Sequence, residues 1–287
     1  MKKYPYLLSC FLMCCCFSIA AQNKPAYQLF TAKGKKVSYK KMLKKLKQAN
    51  IILFGESHND PIAHWLQLEV TQSLYASKPI VIGAEMFERD NQTALTQYLS
   101  NEIDRKALDT LVRLWNNYPT DYEPIVEFAK SNYIAVIATN IPRRYASMVF
   151  KEGFEVLEKL TAIEKKWIVP LPIPYDKELP GYKNMLTMME GMHQSENLPK
   201  AQAIKDATMA YSILEYFDKQ KIFLHLNGSY HSDNYEGILW YLKQTQPDLN
   251  YFTISTVAQK KVDKLAKDHF GKADFIICVP ANMTKTY

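Results

Sequence analysis

The amino-acid sequence predicts an α/β fold: a mainly parallel central sheet flanked by helices, with a helical insertion forming a lid. Three observations predict it. Short apolar runs of strand length recur along the chain. Helix-length periodic stretches separate the early ones. The alternation then stops for nearly eighty residues, between Pro142 and Lys219. Fully apolar strands alternating with amphipathic helices are what a parallel sheet covered on both faces requires.

In chain order, residues 1–21 read as an export signal. Lys2 and Lys3 precede the uncharged, mostly apolar run Tyr6–Ile19, and Ala20-Ala21 offers a small-residue cleavage point. Leu7-Leu8-Ser9-Cys10 keeps a lipid anchor open as the rival, though a clear lipobox is missing. Residues 22–287 then form a single domain. Lysines 33, 35, 36, 40, 41, 44, 45 and 47 are the densest charge run, and Tyr39, Met42, Leu43 and Leu46 recur through it at helical spacing. This predicts an amphipathic helix with a solvated basic face. The strands follow at Ile51–Phe54, Ile80–Ile82, Ile134–Ile137, Ile222–Leu226, Tyr251–Ile254 and Phe275–Val279. Helices are expected over Ile62–Tyr75, after the start signal Asp60-Pro61, and over Glu123–Ser131. Pro170, Pro172, Pro174 and Pro180 break the 142–219 insertion into helical pieces.

Composition excludes several classes. With 36 basic and 29 acidic side chains among 287 residues the net charge is +7, mild and mostly lysine, so no nucleic-acid partner is expected. Cleavage near Ala21 would leave 34 basic and 29 acidic side chains, or +5. Four of the five cysteines lie in the first 16 residues. Cys278 would remain alone in an apolar run, so neither a disulfide nor a thiolate zinc site is expected. There is no Walker-type loop, no dinucleotide fingerprint, no H-E-x-x-H helix and no G-x-S-x-G elbow.

Four strands run straight into polar groups at their carboxyl ends: Gly55-Glu56-Ser57-His58, Gly83-Ala84-Glu85-Met86, Thr139-Asn140, and Asn227-Gly228-Ser229-Tyr230-His231. Ligands of open α/β sheets sit outside those ends. Glu56, His58, Glu85 and His231 therefore form the candidate catalytic set for acid–base chemistry. They are equally a candidate ligand set for a divalent metal, as two imidazoles and two carboxylates. Singly, each has a plainer reading: Glu56 as a helix cap, His58 on a loop carbonyl, Glu85 paired with Arg89. In the insertion, Met185, Met188, Met189 and Met192 share one helix face and precede His193. Such a stripe lines a pocket for a large flat ligand or simply covers the sheet, and packing is the commoner outcome. Tyr175 and Tyr182 flank Pro180-Gly181 and offer phenolic oxygens, whereas Arg143 and Arg144 suit carboxylates in fork geometry.

Taken together, the segments Gly55–Pro61, Glu85–Arg89 with Gln92, Asn140–Arg143, Gln202–Ala210 and Asn227–His231 resemble the ChaN-like family of haem-binding, iron-regulated exported proteins. The resemblance runs in order from about Ile51 to Val257. It implies an α/β core with a helical lid, haem bound near that lid, and a homodimer formed on haem binding. It also implies an iron ligand that is a tyrosine assisted by a histidine, which falls on Tyr182 or Tyr175 and His193. Met189, Arg143 and Arg144 are the further expected haem contacts. The expected setting is the periplasm or cell envelope, alongside outer-membrane haem-uptake machinery. A remoter similarity to erythromycin esterases and Tiki-type metalloproteases carries the alternative, a metal-dependent hydrolase acting through the strand-end cluster.

Overall fold

Every apolar run expected as a strand lies in one seven-stranded sheet of the computed structural model, which describes residues 24–188 and 196–287. The strands are β1 (Gln28–Thr31), β2 (Ile51–Glu56), β3 (Ile80–Glu88), β4 (Val136–Asn140), β5 (Ile222–Gly228), β6 (Tyr251–Gln259) and β7 (Phe275–Pro280). Their order across the sheet is β1-β7-β6-β2-β5-β3-β4. All pairs are parallel except β1 with β7, so the mainly parallel sheet holds. The edge strand β1 was not expected, because four residues are too few to show a period.

All six residues of β2 are buried, which explains its unbroken apolar sequence: a central strand covered on both faces has no solvent side. The chain leaves β2, skips one place to build β3, and later fills the gap with β5. Meanwhile β6 and β7 add on the other side. The order thus reverses at β2, and the carboxyl ends of β2, β5 and β3 stand side by side at the switch point.

One face is covered by α1 (Tyr39–Leu46), α2 (Pro61–Tyr75), α3 (Gln92–Leu99), α4 (Arg105–Leu111) and α5 (Glu123–Ser131), over a core that includes Phe54, Leu66, Val70, Leu224 and Ile254. Asp60 caps α2, its carboxylate accepting from the N–H groups of Ile62 and Ala63. The role first considered for Glu56 thus falls to its neighbour. Gln92 closes the open side of β4, donating to the Val136 carbonyl and accepting from the Ala138 N–H.

The 142–219 stretch carries no strand among the described residues. It opens with α6 (Arg143–Glu152) and continues through short helical turns and a proline-broken segment to α7 (Pro180–Met188) and α8 (Leu198–Glu215). The last of these is no lid. Ala207, Met209, Ala210 and Ile213 are buried against Phe223 and Val81, so α8 belongs to the covering layer of the second face, with α9 (Ile238–Thr245) beside it. Among the described residues α7 packs against α8, and its Met185 reaches the rim. Met189, Met192 and His193 fall outside the described residues, as does the expected signal segment 1–21.

Candidate functional site

Glu56 ends β2 and is 1% exposed, yet it is fully engaged. His58 Nδ1 donates to its Oε1 at 2.9 Å, the Tyr122 hydroxyl donates to the same oxygen at 2.5 Å, and Gln67 Nε2 donates to Oε2 at 2.5 Å. Tyr122 arrives from a turn of π-helix, Tyr118–Tyr122, a local irregularity frequent at functional sites. These bonds fix the His58 ring, which also meets the edge of Trp115 at 4.9 Å. Among the described residues Nε2 has no hydrogen-bond partner. Burial would lower the His58 pKa, but the bond to Glu56 and the charge of Glu85 outweigh it and raise the value. Gly228 leaves room for the ring, since a Cβ there would lie 2.7 Å from Nε2 and the ring would have to shift.

A second acid–imidazole group faces the first. His231 sits on the turn after β5, with Nε2 at 3.1 Å from Glu85 Oε1 and Nδ1 at 2.5 Å from Asp206 Oδ1. Burial opposes its charge, but the two carboxylates win and raise its pKa to about 10. The flanking carboxylates thus favour the charged form of His231, while burial also raises the pKa of Asp206. Glu85 is also buried, yet His231, His58 and the Gly228 N–H, donating at 2.7 Å, hold it well below the usual carboxylate range. Asp206 Oδ2 is buried without a hydrogen-bond partner.

Two clefts open on this wall. The first, of about 530 Å³, is lined by His58, Glu85, Asn140, Arg143, Lys205 and His231. The second, of about 540 Å³, lies toward α7 and α8; Met185, Leu198, Val257, Ala258 and Val279 give it apolar sides, and His58, Tyr230 and His231 belong to its wall. The structure thus brings Glu56, His58, Glu85 and His231 together. They form two hydrogen-bonded couples instead of one open ligand set. Both ring nitrogens of His231 and Nδ1 of His58 already face carboxylates, and among the described residues no group of three or more His, Cys, Asp and Glu side chains could hold a metal ion. The divalent-metal expectation gains no support.

The expected haem contacts are more dispersed. Tyr182 is buried, its ring tilted by 31° against that of the half-buried Tyr175 at 5.6 Å, and burial together with Asp206 drives its pKa far above the usual phenol range. Neither tyrosine lines either cleft. Arg144 is committed to Asp90 at 2.7 Å and lies over Trp167, whereas Arg143 is exposed on the first cleft. Glu85 does not pair with Arg89, which instead binds Glu215 and the Ser212 hydroxyl.

Sequence reasoning missed Asp206, Tyr122, Gln67 and Trp115. For Asp206 a signal existed: it is the one acid in the run Ala201–Ala210, where alanines, Ile204 and Met209 mark a packing helix, and a helix buried on the sheet retains such a charge only with a partner. For Tyr122 and Gln67 there was none, because only the tertiary fold carries them to β2.

A family model described as haem-binding uptake, Tiki superfamily, ChaN matches residues 42–242. ChaN of Campylobacter jejuni with cofacially bound haem superposes with a TM-score of 0.65 at 17% identity, covering 88% of this chain and 96% of that one. A histidine-to-asparagine variant of the erythromycin esterase EreC in its open conformation gives 0.50 at 10% identity, covering 90% and 98%. A protein of Bacillus cereus gives 0.51 at 11%, covering 89% and 95%. At these identities the likeness is one of fold. The chloroplastic protein RETICULATA-RELATED 5 of Arabidopsis thaliana is 27% identical over 139 residues, which make up 46% of this chain and 18% of that protein's length.

Proposed function

This chain belongs to the ChaN haem-binding uptake family of the Tiki superfamily, and from that premise we propose that it binds haem in the cleft between the sheet rim and α7, outside the cytoplasm, in haem or iron acquisition. The observation that carries the reading is the His58 imidazole on the wall of an apolar-sided cleft of about 540 Å³. That volume is within the range of small-molecule and cofactor sites, about 300–1,000 Å³.

The donor set fits the group. A ligating histidine characteristically donates its other ring N–H to a carboxylate, which fixes the tautomer and strengthens the free nitrogen as a donor to iron. His58 does this with Glu56. Its Nε2 would hold the iron, and Met185, Leu198, Val257 and Val279 would exclude water from the ring faces. When bound, haem supplies the iron, while the protein sets the ligand, the polarity and the access. In this reading the ligand is His58 rather than Tyr182, whose hydroxyl is buried. Arg143 remains open to acidic groups at the neighbouring cleft. Cofacial haem in the C. jejuni structure supports a second copy meeting the first over the exposed ligand. The Lys2-Lys3 start, the apolar run and Ala20-Ala21 support an exported, envelope location.

Hemin titration tests this. The purified chain should give a saturable Soret shift at micromolar hemin, which His58→Ala reduces at least tenfold in affinity and Tyr182→Phe leaves unchanged. No shift, or one indifferent to His58, overturns the assignment.

A second reading rests on the Glu56–His58 couple facing His231, whose charged form Glu85 and Asp206 favour, across Glu85. A base beside a cationic stabiliser is the arrangement acid–base hydrolysis needs. Esterase and peptidase activity lost in both Glu56→Gln and His58→Ala would place the protein among hydrolases.

A further inference from the structure

The first acidic residue of the chain is Glu56. Residues 1–55 contain 11 lysines, no arginine and no carboxylate side chain, while residues 56–287 contain 25 cations against 29 acids. The overall +7 therefore divides into +11 on the first 55 residues and −4 on the rest. Such separation is far from a mixed-sign solvated surface.

Folding keeps the charges apart. Lys33, Lys35 and Lys36 lie on the turn that folds back along the edge strand β1, and Lys40, Lys41, Lys44 and Lys45 lie on α1, which buries Met42 and Leu46 inward. With Lys47 these eight side chains are all exposed, and none has a carboxylate within ion-pairing distance, although ten other lysine or arginine side chains of the described residues do, by contrast. No residue before Glu56 lines either cleft. The patch is thus distinct from the rim site.

We propose that this lysine face docks the protein on an anionic membrane surface. The partner chemistry follows from the residues. Lysines are point charges without the planar fork that reads bases or pairs bidentately with single phosphates. The half-buried aromatic of α1, Tyr39, bonds Ser73 and is not presented for base stacking. A spread of unpaired ammonium groups over one helix and one turn matches a plane of phospholipid headgroups, where each contributes about fivefold in binding. The arrangement leaves both clefts free to exchange ligand, and it holds whether or not the cleft binds haem.

Co-sedimentation of the full chain with vesicles of pure phosphatidylcholine, and with vesicles containing a third phosphatidylglycerol, tests it. The apolar run Tyr6–Ile19 contributes to both, so the ratio between them is the readout. Binding should be at least tenfold stronger to the anionic vesicles, and the ratio should collapse toward one in 0.5 M salt. Replacing Lys40, Lys41, Lys44 and Lys45 together by glutamine should remove most of that ratio. The same change at Lys106, Lys151, Lys219 and Lys243, exposed lysines elsewhere, should remove far less. Equal binding to the two vesicle types overturns the proposal, as does a ratio insensitive to the α1 variant. Preference for duplex RNA over anionic vesicles in competition reassigns the face to nucleic acid and also overturns it.

Discussion

At the scale of single residues, the rim is governed by which partner each imidazole holds. His58 is tied to one buried carboxylate and keeps Nε2 free; His231 lies between two and keeps nothing free. Ligation by His58, as proposed, would need the neutral ring, and its pKa is raised, so hemin affinity should fall as pH drops, by up to about tenfold per unit once the ring is protonated. A spectroscopic titration between pH 5 and 8 checks this; in Glu56→Gln, which removes the charge that favours the imidazolium, the fall should move to lower pH. Gly228→Ala should displace the His58 ring, since the new methyl would overlap it, and weaken hemin binding more than it lowers the unfolding midpoint. His231→Ala would leave Glu85 and Asp206 buried without their shared cation. Breaking a buried pair in this way costs about 3–5 kcal/mol, measurable by urea unfolding at pH 7. The residues at strand ends were legible because a polar group directly after a fully apolar strand has few structural excuses. Tyr122 and Gln67 were not, because each looks like an ordinary helix residue until the fold carries it beside Glu56.

At the scale of elements, the strands could be read and the covering helices could be misread. Six apolar runs became β2 to β7, and the basic helix over Tyr39–Leu46 formed as its period required. The 142–219 stretch misled because α8 is buried around most of its circumference, so that no polar stripe marks where it packs. Its small residues, Ala203, Ala207 and Ala210, are there to bring it close to its neighbours. The free side of β4 carries another element-level device. Strand edges invite pairing with other chains, and here the Gln92 amide occupies the Val136 carbonyl and the Ala138 N–H as a neighbouring strand would. Gln92→Ala should cost about 1–3 kcal/mol by unfolding and should bring concentration-dependent association in size-exclusion chromatography. If the variant stays as stable and as monodisperse as the parent, the amide is not what guards the edge.

For the whole molecule, pH sets stability through two buried histidines with opposite signs. The folded pKa of His231 is about 10, above its ordinary value, so its contribution is complete below about 6.5 and is lost as pH climbs through 10. His225, buried between the Thr139 hydroxyl and Asn227, is lowered to about 4, so its contribution is present above about 6.5 and disappears as pH falls through 4. Thermal midpoints should therefore peak near neutrality, with the alkaline slope flattened in His231→Gln and the acid slope flattened in His225→Gln. The two hollows at the rim have two residues in common, His58 and His231, each of which lines both. Were a guest in one hollow to alter the proton count of either ring, the other hollow would feel it, and thermodynamic reciprocity would make that influence mutual.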